Sequence, residues 1–343
     1  MTVLYSPHEN ALNLLFAEMK ATAEEQPAAF LGTPGSLAVR SNETGTEFWA
    51  HRYSDAAGAR RESYLGKSDD PTVAADLVRL RTRIEAANAA IARVRVLARA
   101  GFVTVDRKTY STVATLHNHG LFRAGGFLIG SHAYGALLNS LGIKAVAYAT
   151  EDIDIARAER LALPELIPFL DLLRQTGIEY CEVPALSRRG PSTSYKEAGA
   201  SRLKVDLLVP SSGDDYPTVE VPELGSHAKG LPYLRYLLGQ SQEVPLLSPH
   251  GVVLVRVPVP ERYAIHKLLI SQLRSKSSKP AKDLRQAAIL IAAVSERFPG
   301  AVQDALGGVP KSAFKYLRRA HQALSGHLPA ANEAAWESLR DLK

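Results

Sequence analysis

The chain has 343 residues but a single cysteine, Cys181, so neither an internal disulfide framework nor a multi-cysteine zinc centre is open to it. No apolar run reaches the roughly 18 residues that a spanning helix needs, which excludes a membrane partner of that kind. His8, Glu9 and Glu18 stand where a secretory signal would carry a basic start and an apolar stretch. A cytoplasmic protein is the resulting expectation. No self-similar period and no strongly biased segment appears, which sets solenoids and disordered tails aside. Charge of one sign is not in great excess: 41 Lys and Arg against 35 Asp and Glu leave +6. That balance favours anionic ligands such as nucleotides or nucleic acid without requiring them. Two common catalytic loops are also missing. Gly125 and Gly130 have P-loop spacing, but Ser131 and His132 follow where a P-loop needs Lys and Ser or Thr. Ser131 is likewise not the serine of a G-x-S-x-G elbow.

What is present is an ordinary globular composition, 46% hydrophobic and 22% charged, long enough for about two domains and an appendage. Leu12, Leu15, Phe16 and Met19 mark one face of a helix over 8–25. Pro27, Gly32, Pro34 and Gly35 then read as a loop, and residues 48–66 as a hairpin turning at Asp55–Gly58. Its Trp49, Arg52, Tyr53, Arg60, Arg61 and Tyr64 suit either a half-buried sheet or nucleic-acid binding. Asp70-Pro71 opens a long helix to about residue 100. Val73, Leu77, Leu80, Ile84, Ile91 and Val94 form its apolar seam, for packing on the chain's own body or for an oligomer through helix 71–100. A helix over 109–120 and strands near 125–130, 147–156, 178–185, 202–210 and 251–260 follow, separated by helical stretches. From Pro260 onward the pattern is helical. The expected organisation is an N-terminal appendage (1–105), an α+β domain with a mixed sheet (106–259) and a C-terminal helical domain (260–343).

The chemistry-bearing residues lie in the second block. Asp152 and Asp154 sit two apart in TEDIDIA, so in a strand they share a face while Ile153 and Ile155 take the other. Two such carboxylates repel, and a cation between them is expected. Asp206, in the apolar run LKVDLLVP, is poorly placed for solvent alone, and sheet pairing could bring it beside the first two. Three carboxylates without nearby His or Cys suit hard cations, Mg²⁺ or Mn²⁺, held together with water and phosphate. Upstream, Gly130-Ser131 ends a strand and opens a helix. The glycine allows close backbone approach, and the helix start offers free N–H groups and a hydroxyl to phosphate.

Gly130-Ser131, then Asp152-x-Asp154, then Asp206 in an apolar strand, resembles the DNA polymerase β nucleotidyltransferase superfamily. The nearest likeness is to its bacterial nucleotidyltransferase-like branch, which includes toxin–antitoxin and abortive-infection proteins. The resemblance covers roughly residues 120–295. The span from Ser131 to Asp152 is longer than in many relatives, filled by LNSLGIKAVAYA. It implies a mixed sheet with these groups in one cleft under a helical domain, and transfer of a nucleotidyl group from an NTP to a hydroxyl acceptor on tRNA, another RNA, a protein or a small molecule. In that reading Asp152, Asp154 and Asp206 hold two metal ions, and Asp206 also serves the acceptor hydroxyl. Gly130 and Ser131 hold the outer phosphates. Lys267, on an exposed helix face, neutralises the leaving pyrophosphate, with Arg274 seven residues further along the same face, and Asp283 pairs with one of them. The alternative is a non-catalytic nucleotide- or nucleic-acid-binding regulator with the same fold, as one half of a toxin–antitoxin pair.

Overall fold

The computed structural model describes residues 3–26, 28–148, 150–185, 190–212, 216–273 and 279–342. Arg274 lies outside the described residues. The N-terminal part runs β1 (Tyr5–Pro7), α1 (Asn10–Glu25), β2 (Ser36–Ser41), β3 (Glu47–Ser54), β4 (Arg60–Lys67) and α2 (Pro71–Arg99). The hairpin is the β3–β4 pair, and β2 adds a third antiparallel strand directly after the Gly/Pro loop. Asp55 holds the turn by accepting from the Ala59 N–H at 2.9 Å. Asp70 caps α2 by accepting from Thr72 N, with Pro71 at the first helical position. Most of the α2 seam packs on the chain's own body: Val73, Ile84, Ile91 and Val94 are buried along with Ala87, Ala90 and Leu97, while Leu77 and Leu80 are half-buried.

The middle of the chain begins with α3 (Arg107–Asn118), whose cap Asp106 accepts from the Lys108 and Thr109 N–H groups. It continues with β5 (Gly126–Ile129), α4 (Gly130–Ser140), β6 (Ile143–Ala145), β7 (Asp152–Arg157), α5 (Phe169–Arg174), β8 (Tyr180–Glu182), β9 (Ser194–Glu197), β10 (Lys204–Pro210), β11 (Thr218–Val221), β12 (Ser226–Leu231) and α6 (Leu234–Leu237). The main sheet is mixed, with order β11-β12-β10-β7-β5. β10 lies parallel to β7 and β12, whereas β5 and β11 pair antiparallel. β9 flanks only the first half of β10 and carries β8 on its far side, and β12 flanks only the second half. The first half of β10 is therefore held between β7 and β9. Alternation follows: Ile153, Ile155, Val205 and Leu207 are buried on one face. The other face is left for the polar residues between them.

β13 (Ser241–Ser248) and β14 (Gly251–Pro258) come next and form a separate antiparallel pair, so the run at 251–260 does not extend the main sheet. Both strands are buried along most of their length, so each needs cover on two sides. Leu247, Val252 and Leu254 pack with Phe16 and Met19 of α1 and Val94 and Leu97 of α2. This second core joins segments that the sequence pattern assigned to the appendage and to the sheet domain. At roughly 1.5–3 kcal/mol per buried large aliphatic side chain, it is a substantial tie.

The C-terminal part is α7 (Pro260–Leu273), α8 (Lys279–Arg297), α9 (Ala301–Gly307), α10 (Phe314–Leu324) and α11 (Glu333–Ser338). α8 is its central element: Ala287, Ala288, Ile289, Leu290, Ile291, Ala293 and Val294 have no exposed surface. Among the described residues, no helix is long and apolar enough to cross a membrane.

Candidate active site

The register of β7 against β10 sets the site. Asp152 is paired with Lys204 and Asp154 with Asp206, in a parallel ladder. Paired residues share a face, and so do residues two apart, so these four side chains form a square on the polar face of the sheet. Ser194, opposite Asp206 on β9, donates its hydroxyl to Asp206 Oδ1. Lys204 Nζ lies 2.8 Å from Asp206 Oδ2 and 4.0 Å from Asp152 Oδ1. Burial alone would lower the Lys204 pKa, but its bond to Asp206 and the charges of Asp206, Asp152 and Asp154 outweigh that and raise it.

The third strand of the site, β5, brings the backbone. Its register pairs Ile129 with Asp154, which seats Gly130 against that carboxylate despite the long intervening segment. Gly130 has φ +67°, and a Cβ there would stand 1.9 Å from Asp154 Oδ2. No residue with a side chain fits that position without displacing the carboxylate. Tyr263 on α7 donates its hydroxyl to the Gly130 carbonyl at 2.7 Å, and Lys282 on α8 donates to Ser131 Oγ at 2.9 Å. The helical part thus closes on the start of α4. The third α4 residue, His132, is buried and its Nε2 has no hydrogen-bond partner among the described residues. Burial pushes its pKa down to about 4, against Asp106 and together with Lys282.

Asp154 is the electrostatic centre of the cluster. Burial, then the charge of Asp206 and that of Asp152, raise its pKa to about 6, although Lys267 and Lys204 act the other way. The cations present therefore do not neutralise the group fully, which is the state a hard divalent cation would relieve. The donors fit such an ion in type, being carboxylate oxygens with no thiol or imidazole among them. Among the described residues, no three His, Cys, Asp or Glu side chains are gathered closely enough to hold an ion as they stand. The reason lies in the square itself, where Lys204 lies between Asp152 and Asp206 and engages both.

Lys267 requires a correction. It is not on an exposed face: its residue is 7% exposed, and its ammonium is 2.8 Å from Asp283, itself 1% exposed. The same ammonium lies over the Tyr263 ring, 5.3 Å from its centroid. The sequence of α7 conceals this, because the helix is buried on all sides, from Tyr263 through His266, Lys267 and Leu268 to Leu269. Sequence reasoning passed over Lys204 and Lys282. Lys204 could have been found by its spacing, two residues before Asp206 in a strand, the same offset that links Asp152 and Asp154. Lys282 precedes Asp283, so the charged pair was visible, but which of its members faces Ser131 depends on the docking of α8. His117 and His119 serve structural bonds, to the Leu254 carbonyl and to Gln175. A cavity of about 660 Å³ opens beside Asp152, with Asp106, Lys108, Glu151, Ser201 and Arg202 in its wall.

Among solved structures, an antigenic nucleotidyltransferase-like protein from Paracoccidioides brasiliensis is 16% identical over 65% of this chain and 94% of its own, with a TM-score of 0.32. No curated protein matches. The match to a family described as nucleotidyltransferase runs over residues 107–308, from the start of α3 to just past α9, and so takes in the β5–α4 turn, the β7–β10 square and the two helices that close on them. With more than half of its length matched, the chain belongs to that nucleotidyltransferase family.

Proposed function

We propose that the chain is a metal-dependent nucleotidyltransferase that moves an NMP from an NTP to a hydroxyl acceptor. The observation that supports this reading is the juxtaposition of the Asp154–Asp206 pair, carboxylates of the type a hard cation takes, with the Gly130-Ser131 start of α4, whose N–H groups suit phosphate. Asp152, Asp154 and Asp206 would hold Mg²⁺ or Mn²⁺, and the bound ion would supply Lewis-acid activation and neutralise developing charge.

The protein's own groups divide the remaining work. The free N–H groups at the start of α4, the Ser131 hydroxyl and the Lys282 ammonium are directed to the outer phosphates. Lys267, held by Asp283, acts on Asp154 through its charge and favours the ionised carboxylate, partly offsetting the effect of burial. Pyrophosphate neutralisation, the role that the resemblance implied for Lys267, then passes to Lys282. Asp206, with one oxygen on Ser194, is oriented to accept the proton of the attacking hydroxyl. The cavity beside Asp152 gives the acceptor a way in.

The test is incubation with Mg²⁺ and each labelled NTP in cell lysate, followed by pyrophosphate measurement and by nuclease or protease digestion of labelled product. Label transfer by the parent chain and none by Asp206→Asn supports the reading. Equal label in both chains, or none with any NTP, refutes it.

A further inference from the structure

Lys204 is the one cation in the square of four side chains, and its position calls for a role. Its ammonium bonds Asp206 at 2.8 Å and reaches Asp152 at 4.0 Å, so it draws on two of the three carboxylates assigned to metal. The strand ladder fixes this placement: Lys204 is opposite Asp152 and two residues before Asp206 on the same face. Its side chain is about one third exposed, which leaves the ammonium a path outward into solvent. Lys267 is different, because it is buried in a pair with Asp283.

We propose that Lys204 is a built-in counter-cation that competes with divalent metal for Asp152 and Asp206, so that metal entry requires its ammonium to swing outward and give up the Asp206 bond. The inference rests on the metal-binding reading of the three aspartates. It has a physical logic. Three carboxylates on one sheet face repel each other, and a tethered ammonium keeps the metal-free strands paired. The same ammonium raises the metal concentration needed for loading, because the ion must displace it. A residue that merely braced Asp206 for metal would have the opposite effect on loading.

Mn²⁺ binding to the full chain without nucleotide, followed by electron paramagnetic resonance or calorimetry, separates these cases. Lys204→Met should bind Mn²⁺ about two- to fivefold more tightly than the parent, the change expected when one partly exposed ion pair no longer has to be broken. Lys204→Arg keeps the charge and should stay near the parent. Lys20→Met removes an equal charge from α1, where the Lys20 side chain is 44% exposed beside Glu24, and should leave Mn²⁺ affinity unchanged, which isolates the local effect from net charge. In EDTA, Lys204→Met should also melt below the parent, since the carboxylates lose their counter-ion. Unchanged or weaker Mn²⁺ binding by folded Lys204→Met overturns the competition while leaving the metal site intact. Absence of Mn²⁺ binding in the parent and every variant overturns the metal reading and this inference with it.

Discussion

Replacing Asp154 with asparagine should make the metal-free protein more stable at pH 8, not less. The carboxyl has an ordinary value of 3.8 and is held at about 6 in the fold, first by burial and then by Asp206 and Asp152. A raised carboxyl pKa means that ionisation is disfavoured in the native state. Stability is therefore greatest below the unfolded value and declines as pH rises from about 4 through 6, with the full penalty present above that window. Raising the carboxyl from 3.8 to about 6 corresponds to about 3 kcal/mol, at roughly 1.36 kcal/mol for each tenfold change in acidity. Asp154 is half-buried as a residue, which makes this an upper bound. Asp154→Asn removes the charge at nearly constant shape. Urea denaturation in EDTA should give an advantage approaching that bound at pH 8 and vanishing near pH 4. Mn²⁺ at a hundredfold excess over Kd should stabilise only the parent, by about 2.7 kcal/mol, and so cancel most or all of that advantage. An Asp154→Asn protein that is equally or less stable than the parent at pH 8 in EDTA would refute the argument, as would an advantage that persists unchanged at pH 4.

Lys267→Met should destabilise the protein in urea denaturation, since it removes the ammonium bonded to the buried Asp283, and adding Asp283→Leu should recover part of the loss. Gly130→Ala should destabilise by at least about 2 kcal/mol and abolish transfer, because both the positive φ and the Asp154 oxygen oppose a Cβ there, and calorimetry with the NTP assay would show it. Lys282→Met should raise the KM for NTP about tenfold or more with a melting temperature within a few degrees of the parent, and an unchanged KM would remove it from the phosphate site. His132 titrates in the opposite sense to Asp154: its lowered pKa contributes no penalty above about pH 6.5, and stability is lost as pH falls from there towards 4. His132→Gln should flatten that acid limb in denaturation measured between pH 7 and 4.5.

Much of the architecture follows from local pattern. The alternation in TEDIDIA and LKVDLLVP has a period of two that only a strand uses, and both runs are strands, β7 and β10. The Asp70-Pro71 start of α2 needs nothing beyond its own cap. Pairing was less accessible. β9, β11 and β12 are short and mostly polar on one side, so their membership of the sheet comes from the neighbours they meet. The separate β13–β14 hairpin was also hidden, because a fully apolar strand reads alike whether it completes a parallel sheet or is covered by helices from another part of the chain. In the C-terminal part, where the pattern is helical from Pro260 onward, the last two α-helices are short, Phe314–Leu324 and Glu333–Ser338, and 3-10 turns at Lys311–Ala313 and Arg340–Leu342 adjoin them.

The site shows where such reading stops for a physical reason. Residue type and spacing within one strand are local, so Asp152, Asp154 and Asp206 can be nominated from the sequence. The charge on a lysine says nothing about which carboxylate it meets, since that depends on register between strands and on helix docking. Lys204 and Lys267 illustrate both sides. Each lies in an apolar run and each ends at 2.8 Å from an aspartate. A one-residue slip of β10 against β7 would carry Lys204 and Asp206 to the opposite face and leave Asp154 without either neighbour. Burial then separates the two lysines further. Lys267 is enclosed with Asp283, whereas the Lys204 side chain, about one third exposed, has a path to water. A fixed cation near Asp154 and a displaceable one across the square from it are what a site needs if it is to hold its carboxylates together before an ion arrives and release them to it afterwards.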